Sequence, residues 1–135
     1  MRSHLEYAGS VWYPYRLEHI ESIERVQMRA TKLVGNLRNM PYENRLKILN
    51  LPTLKYRRIR GDMIEVFKTI NCIYDEHTSV DFKFAQYSLT RGHRYKLYPM
   101  HVNYDLRKYS FSNRVISLWN SLPLTIIDAQ SIEFI

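Results

Sequence analysis

Ten cations lie between Arg25 and Arg60, namely Arg25, Arg29, Lys32, Arg38, Arg45, Lys47, Lys55, Arg57, Arg58 and Arg60, against one acid, Glu43. Tyrosines are interleaved with the basic residues along the chain: Tyr56 precedes Arg57 and Arg58, Tyr13 and Tyr15 flank Pro14, and Tyr95 and Tyr98 surround Lys96. Cations neutralise phosphates and aromatic planes stack on bases or sugars, so the mixture suits a nucleic acid. The competing reading is packing, with half-buried rings and wet hydroxyls. Packing is the expectation for Tyr7, Tyr42 and Tyr56, each of which sits on an apolar stripe. The candidate nucleic-acid-binding residues are Arg25, Arg29, Lys32, Arg45, Lys47, Lys55, Arg57, Arg58 and Arg60.

No catalytic constellation accompanies them. The chain has no Gly-rich phosphate loop, no His-Glu-x-x-His, no Cys-x-x-Cys and no Gly-x-Ser-x-Gly elbow. Nucleotidyl transfer needs paired aspartates holding two divalent ions, and there is no Asp-Asp. The chain by itself is therefore expected to be no enzyme and to hold no cofactor or metal. His4, His19, His77, His93 and His101 lack ligand spacing. Cys72, the single cysteine, excludes an intrachain disulfide and is expected to be a small buried hydrophobe, in keeping with a reducing nuclear or cytoplasmic setting. Asp62 and Glu65 share a helical face, and a surface ion pair of Asp62 with Arg58, four residues earlier, is expected.

A chain of 135 residues with 45% hydrophobic composition can bury one modest core. The net charge of +7 and a pI near 9.6 favour a polyanionic partner. Residues 1–74 hold 13 Lys and Arg against 7 Asp and Glu, a balance of +6, whereas residues 75–135 hold 7 against 6. The basic surface should thus lie on the N-terminal helices. No apolar run approaches the roughly 20 residues of a membrane helix, and no membrane partner is expected.

The elements that must position these cations are mainly α-helical. Leu5, Ala8, Val11 and Trp12 recur at helical spacing and predict a short helix over residues 4–12, stopped by Pro14. Ile20, Ile23, Val26, Ala30, Leu33 and Val34 predict a stronger one over residues 17–34, with Gly35 as its C-terminal cap. Its early Glu18, Glu21 and Glu24 and late Arg25, Arg29 and Lys32 follow the helix dipole, and Glu21 and Arg25 are spaced as a pair. Ordinary helix stabilisation and a phosphate-facing role for Arg25, Arg29 and Lys32 both remain open. Pro41 suits the first turn of a third helix carrying Tyr42, Leu46 and Leu49. A fourth spans about residues 53–71 with Tyr56, Ile59, Met63, Val66, Phe67 and Ile70 inward, which leaves Arg57, Arg58 and Arg60 outside the core. Gly61 in its middle predicts a close helix crossing or backbone approach. Beyond Tyr74 the pattern loosens, with a turn at residues 90–93, one or two short strands near Tyr95, Leu97 and Val102, and a helix from Ser110 to Pro123. Asp128 or Ser131 would open one more helix. The expected architecture is a small helical bundle over residues 1–74 and a mixed, less regular tail with a terminal helix over residues 75–135.

Leu5-Glu6-Tyr7 with Val11-Trp12 and Pro14, the run Ile20 to Thr31, Tyr42-Glu43-Asn44-Arg45-Leu46, Leu51-Pro52-Thr53-Leu54, Arg57-Arg58, Gly61-Asp62, Thr90-Arg91-Gly92-His93 and Trp119-Asn120-Ser121-Leu122-Pro123 occur in this order. Together they resemble the thumb and post-thumb region of a jockey-like non-LTR (LINE-type) retrotransposon reverse transcriptase. The resemblance implies a thumb-like bundle that grips an RNA or DNA template-primer. It implies a parent RNA-directed DNA polymerase whose Mg²⁺-binding palm and fingers lie outside this chain, so that the chain is a fragment. Met1 would fall inside a continuous thumb and Ile135 before the family's usual end. A helical protein-interaction module using its apolar faces is the alternative.

Overall fold

The computed structural model describes residues 5, 7–74, 80–85 and 95–128, and over these the chain is mainly helical. Six α-helices follow in order: α1 Leu17–Lys32, α2 Tyr42–Ile48, α3 Leu54–Ile70, α4 Asp105–Lys108, α5 Phe111–Ser121 and α6 Leu124–Ile127, with a 3-10 turn at Gly35–Leu37. The chain divides into two compact units, Met1–Ile59 and Arg60–Ile135. The boundary falls within α3 because Met63, Val66 and Phe67 belong to the core built by the C-terminal residues.

Of the expected helix over residues 4–12, Leu5 is helical, residues 4 and 6 lie outside the described residues, and residues 7–11 form a turn with Ala8 in the left-handed region at φ 50°. Apolar residues at i and i+3 do not distinguish a helix from such a turn. Here the Val11 and Trp12 amides both donate to the Ala8 carbonyl, and Trp12 Nε1 donates to the Tyr7 carbonyl at 2.7 Å. α1 ends at Lys32, and Gly35 opens the 3-10 turn instead of capping the helix. The buried residues of α1 are Gln27 and Thr31, while Val26, Leu33 and Val34 are exposed. Leu37, Leu46 and Leu54 are buried in this unit. Pro41 precedes α2, in keeping with its preset φ at a helix start.

The second unit is built on Met63, Val66, Phe67, Phe82, Leu97, Val115, Ile116, Trp119 and Ile127. Burying each aliphatic or phenyl side chain of this set contributes about 1.5–3 kcal/mol. Ser110 occupies the N-cap of α5, but its hydroxyl donates to the Arg107 carbonyl at 2.7 Å instead of capping. The expected strands reduce, among the described residues, to one antiparallel bridge between Phe84 and Leu97. Asn120 on α5 takes the place of a neighbouring strand, accepting from the Leu97 amide at 2.8 Å and donating to its carbonyl at 2.9 Å. Trp119 Nε1 donates to the Tyr95 carbonyl at 2.9 Å. Asp128 is the C-cap of α6, and a helix opening from it would lie outside the described residues. The expected turn at residues 90–93 and a helix start at Ser131 lie outside the described residues. Gly61 has nothing within 4 Å of where a Cβ would stand, so no close crossing explains it.

Candidate nucleic-acid interface

Arg25, Arg29 and Lys32 are all exposed on α1. With 3.6 residues per turn they fall within an arc of about 60°, on the opposite side of the helix from the buried Gln27 and Thr31. Their rise along the axis is about 10 Å, roughly three phosphate steps of a B-form strand. Arg25 pairs with Glu21 at 3.5 Å across an exposed i,i+4 contact, which solvent screens. Lys47 near the end of α2 and Lys55 at the start of α3 are exposed too. Arg60, in the second unit, is likewise exposed.

Three of the nine candidates are buried or half-buried and engaged in contacts within the first unit. Arg45 is 2% exposed, donates to the Met28 carbonyl at 3.0 Å and lies over the Tyr42 ring at 5.6 Å. Arg58 is 7% exposed, donates to the Leu5 carbonyl at 3.1 Å and stacks 4.6 Å from the Trp12 ring centre. Arg57 is half-buried and donates to Gln27 Oε1 at 2.6 Å. The expectation that Arg57 and Arg58 lie outside the core thus fails. Leu54 takes the inward position at the start of α3, and its i+4 and i+8 neighbours Arg58 and Asp62 follow it inside. Tyr56 is correspondingly turned out, 58% exposed, and Tyr7 is 77% exposed, so neither packs as expected. Both rings face water, where stacking on a base is open to them.

Asp62 does not form a surface pair with Arg58. It is buried and takes a two-pronged contact from Arg114 of α5, Nε at 3.0 Å and Nη2 at 2.9 Å. Arg114 also lies 5.4 Å from the Phe111 ring centre. Cys72 is exposed, in a turn after α3 with φ 52°, rather than buried. Among the described residues no group of three or more His, Cys, Asp or Glu side chains gathers to hold a metal ion. No helix among them is long and apolar enough to cross a membrane.

Glu24 is a functional part of the scaffold that sequence reasoning treated only as an early helix acid. Its carboxylate accepts from the Tyr42 hydroxyl and from the Leu54 amide, the latter at 3.0 Å. An anion at the start of α3 is favoured by the helix dipole, so one side chain of α1 ties down α2 and caps α3. Burial, reinforced by the Glu24 carboxylate, holds the Tyr42 hydroxyl far above the ordinary tyrosine range. The orientation of the α1 stripe therefore rests on Glu24, Gln27 and the carbonyl of Met28, each held by a partner from a later segment. Beside these contacts an apolar groove of about 300 Å³ is lined by Leu5, Ala30, Thr31, Val34, Leu49 and Leu51, with Gln27 and Arg57 as its other polar side chains. The chain matches no protein family, no curated protein and no solved structure.

Proposed function

We propose that this chain is a non-catalytic nucleic-acid-contacting segment, of the kind that grips the template-primer in the thumb of a jockey-like reverse transcriptase. The observation that carries the reading is the exposed stripe Arg25, Arg29 and Lys32, aligned on one face of α1 in the more basic half of the chain. Lys47, Lys55 and Arg60 add further exposed charge, and Tyr56 adds an exposed ring. Arg45, Arg57 and Arg58 drop out of the set of ready phosphate contacts, because packing and hydrogen bonding within the first unit already engage them. In the parent polymerase the nucleotidyl transfer and its Mg²⁺ would belong to the palm, and this segment would supply backbone contacts without base readout.

The test is fluorescence anisotropy with a labelled RNA–DNA duplex, comparing the chain with a variant in which Arg25, Arg29 and Lys32 are all glutamine. Weaker binding by the variant, with its helical circular dichroism unchanged and no dependence on oligonucleotide sequence, is the expected result. Equal binding by both proteins would move the contact elsewhere. The groove beside α1 favours the second reading, a helical module that docks an apolar protein segment. Salt-insensitive capture of a protein partner, with no affinity for nucleic acid, would select it.

A further inference from the structure

The second unit carries a hydrogen-bonded turn that buries nothing. α4, Asp105–Lys108, has no buried residue, and every residue from Asn103 to Tyr109 is exposed, Tyr104 at 80% and Leu106 at 86%. Its backbone is held all the same. The Lys108 and Tyr109 amides donate to the Tyr104 and Asp105 carbonyls at 2.9 Å each, and the Arg107 carbonyl accepts from the Ser110 hydroxyl at 2.7 Å and from Asn113 Nδ2 of α5 at 2.6 Å. Holding such a segment costs conformational entropy that burial of its own side chains does not offset.

The side chains it displays suit one kind of ligand. Tyr104 precedes α4, and Arg107 and Lys108, three and four residues on, fall on the same side of the turn. Asp105 is the single acid between Tyr95 and Tyr109. Lys108 lies 5.6 Å from the Tyr109 ring centre, an exposed contact that leaves the ammonium open to a phosphate oxygen from the solvent side. An exposed ring on a held backbone, with two exposed cations beside it, can stack a base and neutralise the phosphates that flank it.

We propose that Tyr104, Arg107 and Lys108 form a second nucleic-acid contact, which takes an unpaired strand by stacking a base on Tyr104. Bases in a duplex are stacked on one another and keep their faces from such a ring, whereas an unpaired base offers its face. α1 contains no Phe, Tyr or Trp, so its stripe can hold a phosphate backbone but cannot stack a base. The contact at α4 thus goes beyond the proposed function of the stripe, and failure of either leaves the other standing.

The test is fluorescence anisotropy of the full chain with three labelled probes of equal length: oligo(dT), the same strand made wholly of abasic sites, and an RNA–DNA duplex. Each is measured with the unaltered chain and with the chain whose Arg25, Arg29 and Lys32 are glutamine. Tyr104→Ala should weaken oligo(dT) binding about 5- to 150-fold, the loss of one stacked base, with little change on the abasic strand or the duplex. Tyr104→Phe should bind as the unaltered chain does and Tyr104→Leu as the alanine variant does. Arg107→Gln and Lys108→Gln should each flatten the log–log salt slope on oligo(dT) by about 0.7. The Tyr104 effect should persist in the triple-glutamine background, where a loss confined to the duplex reports on α1 alone.

Unchanged oligo(dT) binding by Tyr104→Ala overturns the contact. So does an equal loss on the abasic strand, since no base is there to stack, and so does full retention by Tyr104→Leu, the behaviour of an apolar patch for a protein. Self-association in sedimentation that Leu106→Ser abolishes, with no affinity for oligo(dT), would give the segment to a second copy of the chain and overturn it too. If Tyr104→Ala alters the helical circular dichroism, Tyr104→Phe against Tyr104→Leu decides in the same way.

Discussion

Replacing Asp62 with alanine removes the carboxylate from a buried ion pair and leaves its arginine behind. Arg114 meets Asp62 through two nitrogens at 2.9 and 3.0 Å, and the two side chains are only 11% and 6% exposed. Breaking such a pair from one side costs about 3–5 kcal/mol, because a buried guanidinium loses the carboxylate that meets two of its nitrogens. Domains of this size are stable by about 5–15 kcal/mol, so the loss is about a fifth or more of the total. It should lower the melting temperature by about 10–20 °C, read by helical circular dichroism and checked by urea denaturation. Replacing both residues with leucine should recover most of the stability, since an apolar pair needs no charge desolvated. A penalty below about 1 kcal/mol for Asp62→Ala would mean that the pair behaves as a solvated surface contact, and the burial argument for the second unit would fail.

Gly61→Ala should raise stability by about 1 kcal/mol, because the position is helical and a Cβ there meets nothing; a destabilised variant in the same urea titration would reveal a neighbour the open space does not predict. Tyr42 has its folded pKa raised, chiefly by burial and then by Glu24. Its contribution is therefore fully present below the ordinary tyrosine pKa of about 10 and is lost as pH rises past it, because the unfolded chain ionises first. Tyr42→Phe should be less stable at neutral pH and lose less stability above about pH 10, and parallel alkaline profiles would contradict this. Glu24→Ala should cost about 1.5–3 kcal/mol, since it strips charged acceptors from both Tyr42 and the Leu54 amide; a near-neutral urea midpoint would show that water replaces them.

The helices were legible where apolar periodicity met a stop signal: α1 before the break at Gly35, α2 after Pro41, α3 after Pro52 and α5 before Pro123. Their inward faces were less legible. On α3 the stripe Tyr56, Ile59 and Met63 and the stripe Leu54, Arg58 and Asp62 both satisfy helical spacing, and only tertiary packing chose the second for the first turns. Hydrophobicity alone excludes that choice, because it puts an arginine and an aspartate inside. Their partners, Leu5 and Trp12 for one and Arg114 for the other, lie 53, 46 and 52 residues away, where no local signal reaches. The candidate site divided along the same line. Arg25, Arg29 and Lys32 were recognisable as one face from spacing alone, while Arg45, Arg57 and Arg58 looked identical to them in sequence and are held by hydrogen bonds within the first unit. Residues 7–12 misled because the spacing of Ala8, Val11 and Trp12 is shared by a helix and by the turn that Trp12 closes.

The central claim is that exposed cations of this chain contact phosphates, and counterion release measures that directly. The measurement is the equilibrium constant for an RNA–DNA duplex across a series of salt concentrations, plotted as log K against log[salt]. Three contacts from Arg25, Arg29 and Lys32 predict a straight line with a slope of about −2 to −3, steeper if Lys47, Lys55 or Arg60 join them. A slope near zero, or no binding at low salt, would contradict the account and leave the charge of α1 as helix stabilisation alone.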